Sequence, residues 1–575
     1  MAQPINQFTI RGQGFQGLNT EMSPIGSDPS YALRADNCVV DRVGRISSRE
    51  AFAPDADLSQ WFRDDTDLTN VSAYYTSDGY NTLKPQPVCT AVSGTYRDGT
   101  ITRAVYDGVE SVESVGLDPE KPFAYSLAYE SGGQIRPCTY PSIDETGLER
   151  SLYVHFKDDL FLFSRGNSFL KYNGSGVWSD VPYTPPKNDS GNIVEKIDGD
   201  IAISAYGRLW VSGVNGDYQT IHYSSLLRED QWYDGQATPD DDQNTGGIIN
   251  VSEYWPVEFD QIVNIHAHNG MLIVFGRRSI LVYANANTGD PAGENGIVLQ
   301  DGISNVGLIE RDAICNIGTD VMFCDDTGVR SLGRVIQEKS NPIGEPSMNV
   351  KREFMSMIEE EERSDDVVKG IQMAYFPSKS LVVCLFRSSG VAYAFSTERP
   401  SSTGGARTTR WTDCHFKAMY FAEDAKMGTA YLAGDKNMGL LRYEGYKGRV
   451  PFRLDFESMA LGVTQNDVQK VIPKSIVYVV MSPSVPTNAR SKWGFGSYLT
   501  YHYDFLVEPD GTTEFAVAEF GSDEFVGGRP GIWREKVNTR GAGEFMRCGL
   551  EIEVNGSPFA IQEIAVNSAI GRIAA

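Results

Sequence analysis

Residues 262–283 read IVNIHAHNGMLIVFGRRSILVY. Asn269-Gly270 marks a tight turn, because both residues tolerate the positive φ that short hairpin turns demand. Met271–Phe275 is a continuous apolar run, which suits a strand buried on both faces. The next strand ends on an aromatic, Tyr283. Strand, turn, apolar strand and aromatic-ended strand together make a unit that cannot bury its own faces. Its meaning depends on whether the unit recurs.

It does recur. Residues 152–172 (LYVHFKDDLFLFSRGNSFLKY), 201–223 (IAISAYGRLWVSGVNGDYQTIHY) and 313–332 (AICNIGTDVMFCDDTGVRSL) follow the same order. So do residues 371–395 (IQMAYFPSKSLVVCLFRSSGVAYAF) and 417–443 (KAMYFAEDAKMGTAYLAGDKNMGLLRY). Successive units start roughly 50–60 residues apart, the scale of a propeller blade. Radially arranged four-stranded sheets are the architecture that stacks such units. The expected fold is mainly β, a propeller of about six blades over residues 149–464. The competing arrangement is a set of unrelated hairpins in a β-sandwich.

The flanks read differently. Residues 1–52 show almost no buried periodicity before Ala32 and are expected to form an arm or strap. Residues 53–148 are rich in Asp, Ser, Thr and Gly, with short strands, and are expected to be an inserted β-rich elaboration. Residues 465–575 lose the repeat. There Leu550, Ile552 and Val554 alternate with Glu551 and Glu553, the pattern of a half-exposed strand. A separate all-β C-terminal domain is expected. One helix is expected over 347–362, with Val350, Phe354, Met357 and Ile358 on one face and a solvated run of glutamates at its end.

Composition narrows the chemistry. Lys+Arg minus Asp+Glu is 51 − 76 = −25 over 575 residues. That charge argues against a surface that grips nucleic acid by neutralising phosphates. Six histidines leave few candidates for metal or acid–base work. His266 and His268 are two apart, so a strand would place both on one face, but no third ligand is identifiable. The eight cysteines form no C-x-x-C pair and read as buried, reduced thiols made in a reducing cytoplasm. No apolar stretch reaches the ~18 residues of a membrane helix. GQGFQG at 12–17 precedes no helix, and neither a phosphate-binding loop nor a nucleophile elbow is present. No catalytic residue, metal or cofactor is expected.

Two loops stand out. Residues 234–250, DGQATPDDDQNTGGIIN, hold Asp240, Asp241 and Asp242 without a base. Residues 183–192, YTPPKNDSGN, hold Pro185 and Pro186. The first is long for a blade connection, the second is Pro-containing, and both are candidates for channel or gate loops. In the arm, Arg34, Arg42, Arg45 and Arg49 stand against Asp36 and Asp41. This local basic excess makes them ring-contact candidates through opposite charge.

The order of four segments resembles the tail nozzle proteins of short-tailed bacteriophages. These are GLNTEMSPI…YALRADNCVVDRVGRISSREAF at 17–52, GRLWVSG…IHYSSLLREDQW at 207–232, residues 262–283, and GTDVMFCDDTGVRSLGRVIQEKSNPIGEPSMNVKREF at 318–354. The resemblance implies a structural, non-enzymatic virion protein with a β-propeller in each subunit. It implies a homo-oligomeric ring, commonly a hexamer, below an adaptor or portal ring. It further implies contact with a tail fibre, tailspike or needle protein, and a lumen through which viral double-stranded DNA passes without sequence-specific binding. Such a protein is assembled in the bacterial host cytoplasm and ends in the virion tail. A negative lumen wall would let DNA slide, its repulsion screened beyond ~8–10 Å. The alternative reading is a propeller glycoside hydrolase or a carbohydrate-binding adhesin of a phage tail.

Overall fold

A computed structural model describes residues 5–11, 14–23, 28–41, 44–58, 61–62, 66–77, 83–94, 100–106, 110–116, 123–183, 196–232, 246–288, 296–338, 345–422, 428–448, 451–462, 469–481, 483–496, 498–509 and 532–572. The chain is mainly β. Seven antiparallel sheets follow one another along it. Blades II, III and IV begin with the strands Leu152–Phe156, Ile201–Ala205 and Ile262–His268. Blades V, VI and VII begin with Ile314–Asn316, Ile371–Phe376 and Phe416–Ala422. The first strands of II and III, III and IV, V and VI, and VI and VII lie against each other. The first strand of VII also lies against Thr66–Ser77, which opens a further sheet, blade I. Blades I and II share one apolar cluster and IV and V another, so the sheets close a β-propeller.

The blade logic read from the sequence holds. The second strands are the apolar ones. Arg208–Val214, Val321–Asp325 and Leu381–Phe386 are buried throughout. Each is sandwiched between neighbouring blades, which is why it needs no polar alternation.

The blade count is seven, one more than the six repeats. The added blade I comes from residues 53–148, expected as an elaboration. Its strands Thr66–Ser77, Leu83–Gly94, Phe123–Glu130 and Ile135–Pro137 form a regular sheet. A hairpin, Thr100–Tyr106 with Glu110–Gly116, is inserted between its second and third strands. That insertion stretches the spacing and hides the repeat. Blade VII is completed from the other end of the propeller segment. Phe52–Ala56 pairs with Leu440–Tyr443 as its outer strand.

The arm is woven into its own chain. Ile5–Arg11 pairs with residues 563–569, and Cys38–Val40 with Ile46–Ser48. Tyr31–Asp36 lies between Phe452–Ser458 and, through Asp36 opposite Arg410, the last strand of blade VI. The C-terminal unit is a two-sheet arrangement that begins at Phe452 rather than residue 465, because Phe452–Ser458 pairs in register with Phe545–Val554. Leu550, Ile552 and Val554 are buried there and Glu553 is exposed, as the alternation requires.

The helix spans Lys351–Arg363 after a short 3-10 turn at Met348–Val350. Phe354 is its anchor, edge-on to Phe386 and Tyr393 at 5.2 and 5.3 Å. One of the terminal glutamates is not solvated. Glu361 is buried and accepts from the Gly370 and Ser388 backbone N–H groups at 2.8 and 2.7 Å. No helix of the described residues is long and apolar enough to cross a membrane.

Candidate functional site at the propeller axis

Antiparallel strands bring the turn after each second strand back to the end of the blade where its innermost strand begins. In three alternate blades that turn starts with arginine: Arg165 in II, Arg277 in IV and Arg387 in VI. The three face a cavity of about 920 Å³ at the propeller axis. The segments leading into blades II, V and VI add Arg150, Arg311 and Lys369.

Arg311 spans the axis. It is 9% exposed. From the start of blade V it donates through Nη1 to the carbonyls of Arg150 and Asp200, both at 2.9 Å, and through Nη2 to Ser151 O at 3.1 Å. Those carbonyls belong to the starts of blades II and III. Its Nε donates to Asp312 Oδ1 at 2.9 Å. Asp312 also takes Arg387 Nη2 at 2.9 Å. Burial works against ionisation of Asp312, but the two guanidinium groups outweigh it and hold its carboxyl well below the usual range. Burial likewise opposes the charge on Arg311, and Asp312 and Asp200 reverse the effect.

A second pair of arginines shares one carboxylate. Asp200, fully buried, takes Arg150 Nε at 2.7 Å and Arg165 Nη2 at 3.2 Å. Tyr218 donates to the same carboxylate at 3.0 Å. The backbone makes room for it: Gly213 sits at φ +84° in a bulge, and a Cβ there would lie 2.7 Å from Asp200 Oδ1. Arg277 is matched differently, by Asp326 and Glu362 at 3.0 Å each. Glu310, held by the Ile371 N–H at 2.6 Å, has its carboxyl raised, chiefly by burial. Exposed Glu149, Asp365 and Asp366 rim the opening.

The residues singled out in the sequence do not meet here. Asp240, Asp241, Asp242, Pro185 and Pro186 lie outside the described residues, as does Arg42. The other arm arginines are engaged within the chain. Arg49, expected at a ring contact, is 2% exposed. Its guanidinium lies 4.2 Å from the Phe52 ring and 4.1 Å from the Phe452 ring, fastening the arm to blade VII and the C-terminal unit. Arg34 pairs with Asp36 and Asp455 at 2.6 and 3.0 Å, and Arg45 with Asp41 at 2.6 Å.

The histidine pair closes the first strand of blade IV. His268 Nε2 is 2.9 Å from Asn269 Nδ2, while buried His266 Nε2 has no partner. Among the described residues, no three His, Cys, Asp or Glu side chains group as a metal site. All eight cysteines are free thiols, seven of them buried. The axial arginines escaped the sequence reading, yet they leave a signal. LFLFSR, MLIVFGR and LVVCLFR each end an apolar strand on arginine in alternate repeats.

No protein family model and no curated protein sequence matches the chain. Solved structures resemble it distantly. The extracellular domain of a one-component system of B. thetaiotaomicron aligns at 11% identity and TM-score 0.36, covering 82% of this chain and 57% of that one. The Pan2 WD40 domain of Neurospora crassa aligns at 8% identity and TM-score 0.33, covering 66% of this chain and 96% of that one. PorZ of the type-IX secretion system of Porphyromonas gingivalis aligns at 10% identity and TM-score 0.33, covering 78% and 58%. The chain thus spans under two thirds of the length of two of these three.

Proposed function

We propose that the chain is a ring-forming structural protein of a short-tailed phage tail, a nozzle subunit through whose ring viral DNA leaves the virion. The observation that carries this reading is the series of four resembling segments. They fall on the arm, on blades III to V and on the first turn of the helix Lys351–Arg363. The net charge of −25 supports a wall that does not hold phosphates. On this reading the DNA path runs around a ring axis between copies, in keeping with the Arg311 bridge inside the single propeller. Adaptor or portal ring, fibre and tip protein are the partners this reading assigns.

Light scattering after gel filtration and negative-stain images of the purified chain test it. Closed rings are expected, with labelled antibody marking the tail of the virion. A strictly monomeric chain that cleaves a host polysaccharide would overturn the reading in favour of a hydrolase.

A further inference from the structure

We propose that the strand Tyr501–Val507 is a pairing edge for a second copy of this chain, the two copies meeting about a two-fold axis at Tyr503. A two-fold contact joins copies in pairs and closes no ring by itself. The proposal therefore goes beyond the nozzle reading and stands apart from it.

The strand ends its sheet. It pairs with Thr487–Gly494 in unbroken register, from Trp493 opposite Tyr501 to Thr487 opposite Val507. Among the described residues no strand lies on its other side. Its outward N–H and C=O groups are a template for another strand, and proteins commonly blunt such an edge with proline, lysine, a bulge or shortness. This edge is seven residues long and regular, and it holds neither proline nor lysine. The last strand of the other C-terminal sheet, Ile532–Asn538, is guarded by contrast, with Arg534 and Lys536 exposed. Tyr501–Val507 instead leaves Tyr503 48% and Leu506 44% exposed.

The residues choose the partner. Read outward from Tyr503, the stretch YHYDF is complementary to itself when run antiparallel. Tyr501 comes opposite Phe505, His502 opposite Asp504, and Tyr503 opposite its own copy. A ring N–H donor then faces a carboxylate twice, and opposed pairs of this kind stabilise a sheet. The charges behind the seam agree. Arg490 holds the Asp504 carboxylate at 2.6 and 3.2 Å, and Lys492, opposite His502 within each copy, is spent on Asp455 at 2.6 Å. On the other face the aromatics are already set in place. Tyr503 lies over Phe505 with centroids 6.4 Å apart at 20°, and Tyr501 over Trp493 at 5.7 Å and 18°. Ordered rings lose little freedom when a second strand arrives. Register is specified too: an axis at Asp504 opposes two carboxylates, and an axis at His502 opposes two imidazoles.

Tyr503→Cys in the full chain tests the axis. Directly opposed positions of an antiparallel pair lie within disulfide reach, so mild oxidation should give a covalent dimer. Leu506→Cys, about as exposed on the same strand, sits six positions from its own copy, about 20 Å along the seam. It should couple at least about tenfold more slowly. Sedimentation velocity tests the complementarity. His502 is exposed, so its replacement leaves the fold alone. His502→Asp sets a carboxylate opposite each Asp504 and should weaken pairing about tenfold or more, whereas His502→Lys should keep or tighten it. A parent chain that is monomeric at every concentration, equal coupling of the two cysteine variants, or equal losses in the two His502 variants would each overturn the proposal. Rings that persist unaltered in His502→Asp would overturn it and leave the nozzle reading standing; pairs that never build rings would do the reverse.

Discussion

Arg311 shows how much one side chain does at the axis. It neutralises Asp312 and also satisfies three backbone carbonyls from blades II and III. Arg311→Leu should therefore cost about 3–5 kcal/mol, the range for breaking a buried, hydrogen-bonded pair. Arg311→Lys keeps the charge but cannot reach three carbonyls with a fork. Urea unfolding should show only partial recovery for it, and a lysine variant as stable as the parent would reject the bridging role. His266 gives a pH signature. Burial pushes its pKa down to about 4, with His268 adding to the effect. An unfolded chain protonates that ring near 6.5. The folded state thus refuses a proton that the unfolded state binds, and stability falls as pH drops from about 6.5 to 4, by up to about 3 kcal/mol. His155 is shifted the same way by burial and adds to the slope. Unfolding midpoints measured across that window should flatten in His266→Gln; an unaltered slope would count against it. Neither residue's role was legible beforehand. The histidine pair, lacking a third ligand, reads as the end of a strand at a turn, but that reading does not say how deeply the His266 ring is buried, and Arg311 means nothing until three blades meet around it.

Strands and turns were the legible level. Apolar second strands and NG-type turns are local features, so six of the seven blades stood in the sequence as repeats. Blade I did not, because its hairpin insertion breaks the period, and blade VII borrows a strand from residues far upstream. A recurrent device at this scale also went unread. In blades III, IV and VI a carboxylate accepts from the N–H groups of the turn after the second strand. Asp198 takes Asn215 N at 2.7 Å, Asp260 takes Arg277 N and Arg278 N at 2.8 and 2.9 Å, and Glu361 takes Ser388 N. In blade VI the carboxylate is lent by the helix, so a glutamate that looked like solvated charge is a turn cap. Glu361→Gln keeps the shape but weakens a charged acceptor of three hydrogen bonds, one of them the Ser388 hydroxyl. A loss of roughly 1–3 kcal/mol is expected, with amide exchange rising first at Gly370 and Ser388. The closing strand is the other sensitive element. Phe52 is buried, 4.8 Å from Phe416 and beneath the Arg49 guanidinium. Phe52→Ala should cost about 3–5 kcal/mol and raise exchange in Leu440–Tyr443. Protection there equal to the parent's would show that blade VII does not depend on its borrowed strand.

At the scale of the whole molecule, the sequence suggested an arm, a propeller and a separate C-terminal domain, whereas the structure makes them one body. A single sheet of eleven strands runs from blade VI through Tyr31–Asp36 into the C-terminal unit. One apolar core contains Phe275 of blade IV, Phe323 of blade V, Phe395 of blade VI, Phe15 of the arm and Phe456 and Ile564 of the C-terminal unit. At the joint Asp36, 2% exposed, takes Arg410 at 2.9 Å, and Arg410 reaches Glu353 of the helix at 2.7 Å. These links have long sequence separation, which is why local patterns could not reveal them. They also set how the protein unfolds. A domain that shares sheet and core with its neighbour has no free energy of its own to lose first. Calorimetry should therefore show blade VI, the arm and the C-terminal unit melting in one transition. Deleting residues 1–11 tests the coupling more gently. It uncovers the edge of the strand Ala560–Arg572 along seven paired residues, and an uncovered edge invites both exchange and aggregation. Proteolysis should then begin in the C-terminal unit while blades II and III stay intact. A truncated chain cleaved no faster than the parent, or a fragment 465–575 that folds alone without Phe452–Ser458, would show the C-terminal unit to be autonomous after all.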